Sequence, residues 1–237
     1  MNDRFILNFF ASTPEPCSYL DNRKAVSAFA NPHMDMDIGT YNNLIQRGFR
    51  RSGGYVYRPH CPGCNECISV RVLVKQHRLS RNAQRNLRRN SDLDVAIVPG
   101  KYRNSHFELY RRYMSSRHGE GSMADPSKSD YHRFLICDWM ETLFFEFRYQ
   151  RRLVAIAVSD VTSTGLSAVY TFYDPEYENR SLGHFAILTQ IAEARRRDLD
   201  YLYLGYWIRD CQKMNYKSRY RPLEGYVNDQ WSPFQYD

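Results

Sequence analysis

The chain has 237 residues, enough for one large domain or two small ones around a substantial core. Hydrophobic residues make up 43% and aromatic residues 15%, which excludes a low-complexity disordered chain. A mean hydropathy of -0.64, with no apolar run near the roughly 20 residues a bilayer requires, excludes a transmembrane span.

The formal net charge is +7, and the surplus is concentrated. Lys75, Arg78, Arg81, Arg85, Arg88 and Arg89 fall in one stretch without an acid, an asymmetry that points to a polyanionic partner. The apolar patch from Phe5 to Ala11 is broken by Asn8 and has no small-residue cleavage site, so no signal peptide is expected and the location is read as cytoplasmic. Six cysteines are too sparse for a secreted disulfide scaffold.

In chain order, residues 1–16 read as an arm, since Pro14 and Pro16 delay regular structure. A short helix follows between Asp35 and Arg51, with Thr40 as N-cap and Gly48 as stop. Tyr55 to Tyr57 and Ile68 to Val74 read as strands, which places the cysteine cluster in a knuckle between them. A helix is predicted over Ser80 to Asn90; at about 100° per residue its arginines share one face and Leu79, Ala83 and Leu87 the other. A helix from Asn104 to Arg117 is followed by the loop His118 to Lys128 and a short helix from Ser129. Strands at Leu143 to Tyr149, Leu153 to Val161 and Leu166 to Tyr173, a helix at Ser181 to Arg197 and a strand at Leu199 to Tyr206 complete the prediction. This order implies an α+β fold in which an N-terminal cysteine-bearing α/β region, residues 1–120, packs on an acyltransferase-like region, residues 121–237.

Cys61-Pro-Gly-Cys64-Asn-Glu-Cys67 supplies three thiols at even spacing, with Cys17 the only other cysteine in the front half. Two readings stand: a zinc or iron-sulfur centre, or reduced thiols tightening a turn. The arginine face likewise reads either as a solvated helix surface or as a phosphate-binding one; the missing interleaved acids favour phosphate. Nucleophile elbow, phosphate-binding P-loop, zinc-protease helix and dinucleotide-binding loop motifs are all lacking. The turn Arg180-Ser-Leu-Gly183-His-Phe185 resembles the pyrophosphate loop of GNAT-type acetyltransferases, with bulky Phe185 where a small residue is needed for close backbone approach.

A wider resemblance covers nearly the whole chain. Tyr57-Arg58-Pro59, the arginine stretch Ser80 to Asn90, Ala168 through Pro175, Ser181-Leu-Gly183, and Tyr203-Leu-Gly-Tyr-Trp-Ile208 followed by Cys211, Lys213, Met214, Tyr216 and Lys217 resemble the arginyl-tRNA-protein transferase family. The length and the spaced cysteine triplet resemble its bacterial branch, the aspartate/glutamate leucyltransferases. The resemblance implies a GNAT-like second region and a cytoplasmic aminoacyltransferase. Such an enzyme moves leucine from leucyl-tRNA to the α-amine of proteins beginning with Asp or Glu and so creates a destabilising N-terminus, with no cofactor required for the chemistry. Eukaryotic members bind metal through a cysteine group; here Cys17-Ser-Tyr-Leu20 lacks their second cysteine.

Within that reading Tyr173, Asp174 and Tyr206 are expected to line the ester site, and Lys213, Tyr216 and Lys217 to hold the acceptor stem or 3′ end. Arg78, Arg81, Arg85, Arg88 and Arg89 are expected to divide between tRNA phosphates and the acidic first residue. Three alternatives are arginyl transfer by the same mechanism, a GNAT acetyltransferase, and a non-catalytic RNA-binding metal-knuckle protein.

Overall fold

A computed structural model describes residues 7–117 and 125–235. The expected loop and boundary near residue 120 therefore fall largely outside the described residues.

The chain begins with short strands β1 (Phe9–Ala11), β2 (Glu15–Pro16), β3 (Lys24–Ala25) and β4 (Ser27–Ala30), then helix α1 (Ile38–Ile45), β5 (Arg50–Ser52), β6 (Tyr55–Pro59) and β7 (Ile68–Leu73). Helix α2 (Arg81–Arg89), β8 (Asp94–Pro99), α3 (Asn104–Arg117) and α4 (Lys128–Leu135) follow. The second half holds β9 (Thr142–Tyr149), β10 (Arg152–Val161), β11 (Gly165–Tyr173), a 3-10 turn at Pro175–Arg180, α5 (Leu182–Arg196) and β12 (Tyr201–Trp207). The last elements are α6 (Gln212–Asn215), a 3-10 turn at Tyr216–Arg219, β13 (Leu223–Val227) and β14 (Gln230–Pro233).

Eight strands form one sheet in the order β14-β13-β7-β12-β11-β10-β9-β8, and β1-β4-β6-β5 form a second of four. The large sheet takes β7 and β8 from residues 1–120 and its other strands from residues 121–237, so a cut at that point divides one sheet. The fold is α+β, as expected, and β11, α5 and β12 supply the parallel strand-helix-strand unit.

Period-two alternation explains how both faces of this sheet are covered. Phe145 and Phe147 of β9 and Ala155 and Ala157 of β10 face Leu182, Phe185, Leu188 and Ile191 of α5. Their neighbours Phe144, Ile156 and Val158 turn the other way, against Phe107, Tyr110 and Met114 of α3 and Tyr131 and Leu135 of α4. A third cluster, with Tyr41, Leu44, Ile45 and Val56, fixes the small sheet and α1.

Several local expectations change. Thr40 does not cap α1: Asp37 does, accepting the Thr40 amide at 2.8 Å and its hydroxyl at 3.0 Å, because a carboxylate just ahead of the helix is the stronger acceptor. Leu79 is 46% exposed and lies ahead of α2, which is capped by Ser80 and seated by Ala83 and Asn86. That seam is half polar, with the Asn86 and Asn90 amides donating to the Arg180 carbonyl at 3.3 and 3.1 Å. The arm carries strands, Pro16 sitting at the end of a two-residue pair where no amide donor is needed. Helix α4 starts at Ser127, which forms a capping box with Asp130.

Candidate active site

β11 and β12 run parallel and pair over three positions only, from Gly165 with Tyr201 to Ser167 with Tyr203. Just beyond, each strand carries one extra residue relative to its other neighbour: Val169 is unmatched between the pairs Ser159–Ala168 and Val158–Tyr170, and Leu204 between Arg71–Tyr203 and Val70–Gly205. A bulge bends and twists its strand. Two bulges at one level turn the parallel pair apart.

Arg50, at the start of β5, enters the opening. Its Nη2 donates to the Ala168 carbonyl at 2.5 Å. A Cβ at Gly205 would lie 1.8 Å from the Arg50 Nη1 and 2.3 Å from its Cζ and would displace the guanidinium, and φ +75° at Gly205 is a conformation that favours glycine. Arg50 went unnoticed in the sequence; the one available signal was Gly205 interrupting an otherwise bulky strand.

Around Arg50 lie three of the expected residues. Tyr206 is buried, its hydroxyl donating to the Gly48 carbonyl at 3.3 Å and the Tyr57 carbonyl at 3.2 Å, and burial raises its phenol well above the usual value. The ring thus fastens β12 to β6 and to the turn before β5. Lys217 is also buried; its Nζ donates to the Tyr206 carbonyl at 2.7 Å and stands 5.0 Å from the centre of the Tyr216 ring. Burial, then the positive charge of Arg50, pulls the Lys217 ammonium down to about 7. A surface grip on the tRNA acceptor end does not suit a cation so enclosed. Tyr216 is half-buried and its phenol is raised by burial, while Lys213 is exposed.

At the end of β11, Tyr173 sits 5.1 Å ring to ring from Tyr113, whose hydroxyl is within electrostatic reach of both Tyr173 and Tyr216. The Asp174 carboxylate is otherwise engaged: it accepts from Arg152 at 2.8 Å, Arg112 at 3.2 Å and the Glu176 amide at 3.2 Å, capping the turn at Pro175–Arg180.

On α2, Arg81, Arg85 and Arg88 are exposed and have no ion pair or side-chain hydrogen bond with a described residue. Arg81 sits in the first turn, where the helix dipole disfavours a cation, so helix stability does not account for it. Arg89 donates to the Asn179 carbonyl at 2.9 Å, and Arg78 lies outside the helix, against the carbonyls of Lys75 and His77. Arg180, the arginine of the GNAT-like turn, is held by both oxygens of Asp92 at 2.7 and 2.9 Å, and Phe185 packs 5.4 Å from Phe147.

The fold brings Cys17 to Cys61, Cys64 and Cys67. Burial first, then the neighbouring thiols and Glu66, push the Cys67 thiol up to about 12. Cys61 is tied to the Val26 backbone, accepting its amide at 3.3 Å. Among the described residues no group of three or more His, Cys, Asp or Glu is arranged to hold a metal ion.

Family models for the two ends of one enzyme match this chain: arginine-tRNA-protein transferase, N terminus, over residues 15–85, and arginine-tRNA-protein transferase, C terminus, over residues 105–227. The chain belongs to the arginine-tRNA-protein transferase family. Its similarity to family members is nearly full-length. An aspartate/glutamate leucyltransferase of Pseudomonas fluorescens (strain SBW25) is 48% identical over 95% of this chain and 96% of its own. One from Hahella chejuensis (strain KCTC 2396) is 48% identical over 98% and 99%. Among solved structures, the C-terminal domain of a putative lysylphosphatidylglycerol synthetase from Agrobacterium fabrum aligns with a TM-score of 0.46 at 12% identity, covering 60% of this chain and 46% of that one. Among the described residues no helix is long and apolar enough to cross a membrane.

Proposed function

We propose that this transferase moves leucine from leucyl-tRNA to the α-amine of proteins beginning with Asp or Glu, in the cytoplasm. The observation that carries the reading is Arg50. Its guanidinium lies between β11 and β12, against Gly205 and on the Ala168 carbonyl, while Arg180 and Phe185 of the turn that resembles a pyrophosphate loop are committed to Asp92 and Phe147. The donor is then presented from outside, and the unpaired arginines of α2 with exposed Lys213 suit its phosphates. The names of the similar proteins above support leucine as the group moved and acidic acceptors as its destination.

The reaction is aminolysis of an activated ester. A protein α-amine has a pKa near 7.7 to 8.0, so a useful fraction is neutral at cytosolic pH. Its nitrogen forms a bond to the leucyl carbonyl carbon, the bond to the ribose oxygen breaks, and the amine proton ends on that departing oxygen, directly or through water. In this reading Arg50 stabilises the tetrahedral oxyanion, and Tyr173 and Tyr216 belong to the ester site. Tyr206 and Lys217 are positioning residues, the first through Gly48 and Tyr57, the second through the Tyr206 carbonyl. Asp174 fixes the end of β11. The chemistry asks for no cofactor, and no step is routed through the thiols of Cys17, Cys61, Cys64 and Cys67.

Incubation with leucyl-tRNA or arginyl-tRNA and peptides starting with Asp, Glu, Lys or Ala tests the proposal. Labelled leucine should reach only the Asp and Glu peptides. Label transferred from arginyl-tRNA instead would favour arginyl transfer, and RNA retention with no label reaching any peptide would favour the non-catalytic reading.

A further inference from the structure

A cavity of about 600 Å³ opens between the cysteine knuckle that joins β6 to β7 and the hairpin of β13 and β14. Its lining includes Arg47, Arg58, His60, Cys67, Tyr206 and Asp229, and none of the α2 arginines. One of its arginines has no ion pair and the other only a long, exposed one. Arg47 is exposed and has no ion pair or side-chain hydrogen bond with a described residue, and the carboxylate nearest Arg58 is Asp229, 3.9 Å away on a side chain that is 86% exposed. The Arg58 guanidinium rests over the Phe49 ring at 5.0 Å, an apolar platform that limits its orientations. Tyr206 forms part of the wall and directly follows Gly205, the residue against which Arg50 lies.

We propose that Arg47, Arg58 and His60 form the acceptor pocket that reads the side-chain carboxylate of an acidic first residue on the incoming polypeptide. This rests on the transfer reaction proposed above and names the part of the site that selects its acceptor. In Asp or Glu the carboxylate and the α-amine are only a few bonds apart, so the group that is read and the group that reacts must bind side by side. Tyr206, which lines the cavity, directly follows Gly205, and Arg50 lies against Gly205, so the two groups are held on neighbouring residues of β12. A second cavity of about 780 Å³ shares Arg47, Arg58 and His60 and extends past the exposed rings of Phe9 and Phe10, giving the rest of the polypeptide a way out. Two guanidinium groups at one carboxylate allow charge-assisted, two-point recognition that an amide cannot reproduce.

The test is leucine transfer to peptides identical except for a first residue of Asp, Asn, Glu or Gln, by the wild type, Arg47→Gln and Arg58→Gln, with leucyl-tRNA affinity measured in parallel. Each variant should raise KM for the Asp and Glu peptides roughly ten- to hundredfold, with little effect on the Asn and Gln peptides and none on leucyl-tRNA affinity. Arg47→Gln removes an exposed side chain with no partner among the described residues, so loss of folding does not account for its result. An Asp-over-Asn preference equal to that of the wild type in both variants, with leucyl-tRNA binding intact, overturns the pocket alone. A wild type that transfers leucine to no peptide overturns the reaction itself and the pocket with it.

Discussion

The guanidinium of Arg50 occupies the place a side chain would take at Gly205. The two residues lie 155 positions apart in sequence and meet because paired bulges in β11 and β12 open the sheet between them. Gly205→Ala introduces a Cβ into that guanidinium and into a backbone conformation with φ +75° that alanine rarely adopts. We expect it to destabilise the protein by about 1–3 kcal/mol in urea unfolding and to lower leucine transfer by the folded fraction. Stability and transfer both equal to the wild type would show that Arg50 does not fill the opening.

A second arginine shows how differently two neighbours are used. Arg51 is buried with Asp160, Nε to Oδ2 at 2.6 Å and Nη2 to Oδ1 at 2.5 Å, and Thr142 donates to the same carboxylate at 2.9 Å. Removing one charge leaves the other unpaired in the interior, so Asp160→Asn should cost about 3–5 kcal/mol of stability. Denaturant midpoints measured near neutral pH check this; a loss under about 1 kcal/mol would mean that water reaches the pair.

Lys217 links the site to pH. Its folded value is depressed to about 7 from an ordinary 10.5, so between those limits the unfolded chain binds more protons than the native one. Stability therefore rises with pH across that window, and the penalty for burying the charged form is full below about pH 7. Lys217→Met removes the penalty along with the hydrogen bond to Tyr206, so its stability relative to the wild type should be most favourable near pH 6 and decline steadily toward pH 10. A pH-independent difference between the two unfolding curves would contradict the burial of that ammonium.

The α2 arginines give a prediction in salt. Replacing Arg81, Arg85 and Arg88 by Ala should weaken leucyl-tRNA binding and flatten the plot of log affinity against log salt by about 0.7 to 0.9 for each phosphate that is no longer neutralised. Melting temperature should be nearly unchanged, since these side chains have no partners among the described residues. A slope identical to that of the wild type would return the face to ordinary solvation.

Much of the fold was legible because burial on both sides of a sheet and along one stripe of a helix leaves a periodic trace. β9, β10, β11 and α5 are long and strongly patterned, and their predicted limits lie within a few residues of the observed ones. β8 and β14 were missed for the opposite reason: they are the edge strands of the large sheet, where exposed positions such as Val95 and Ile97 of β8 obscure the alternation, and β13 is a five-residue strand interrupted by Gly225. The site was legible only in part. Tyr206, expected at the ester site, and Tyr216 and Lys217, expected at the tRNA end, are close in sequence, and Lys217 meets the Tyr206 carbonyl in the fold. Arg50 joins them from a separate sheet, and the Asp37 cap and the half-polar α2 seam depend on hydrogen bonds that hydrophobic patterning does not record.

The proposed reaction takes its acyl group from an ester carried by a nucleic acid and not from a coenzyme A thioester. Offering the protein labelled leucyl-tRNA and labelled acetyl-CoA together with one peptide beginning with Asp tests it in a single tube. We expect leucine on the peptide and no acetyl label. Acetyl transfer with leucyl-tRNA left intact would contradict it.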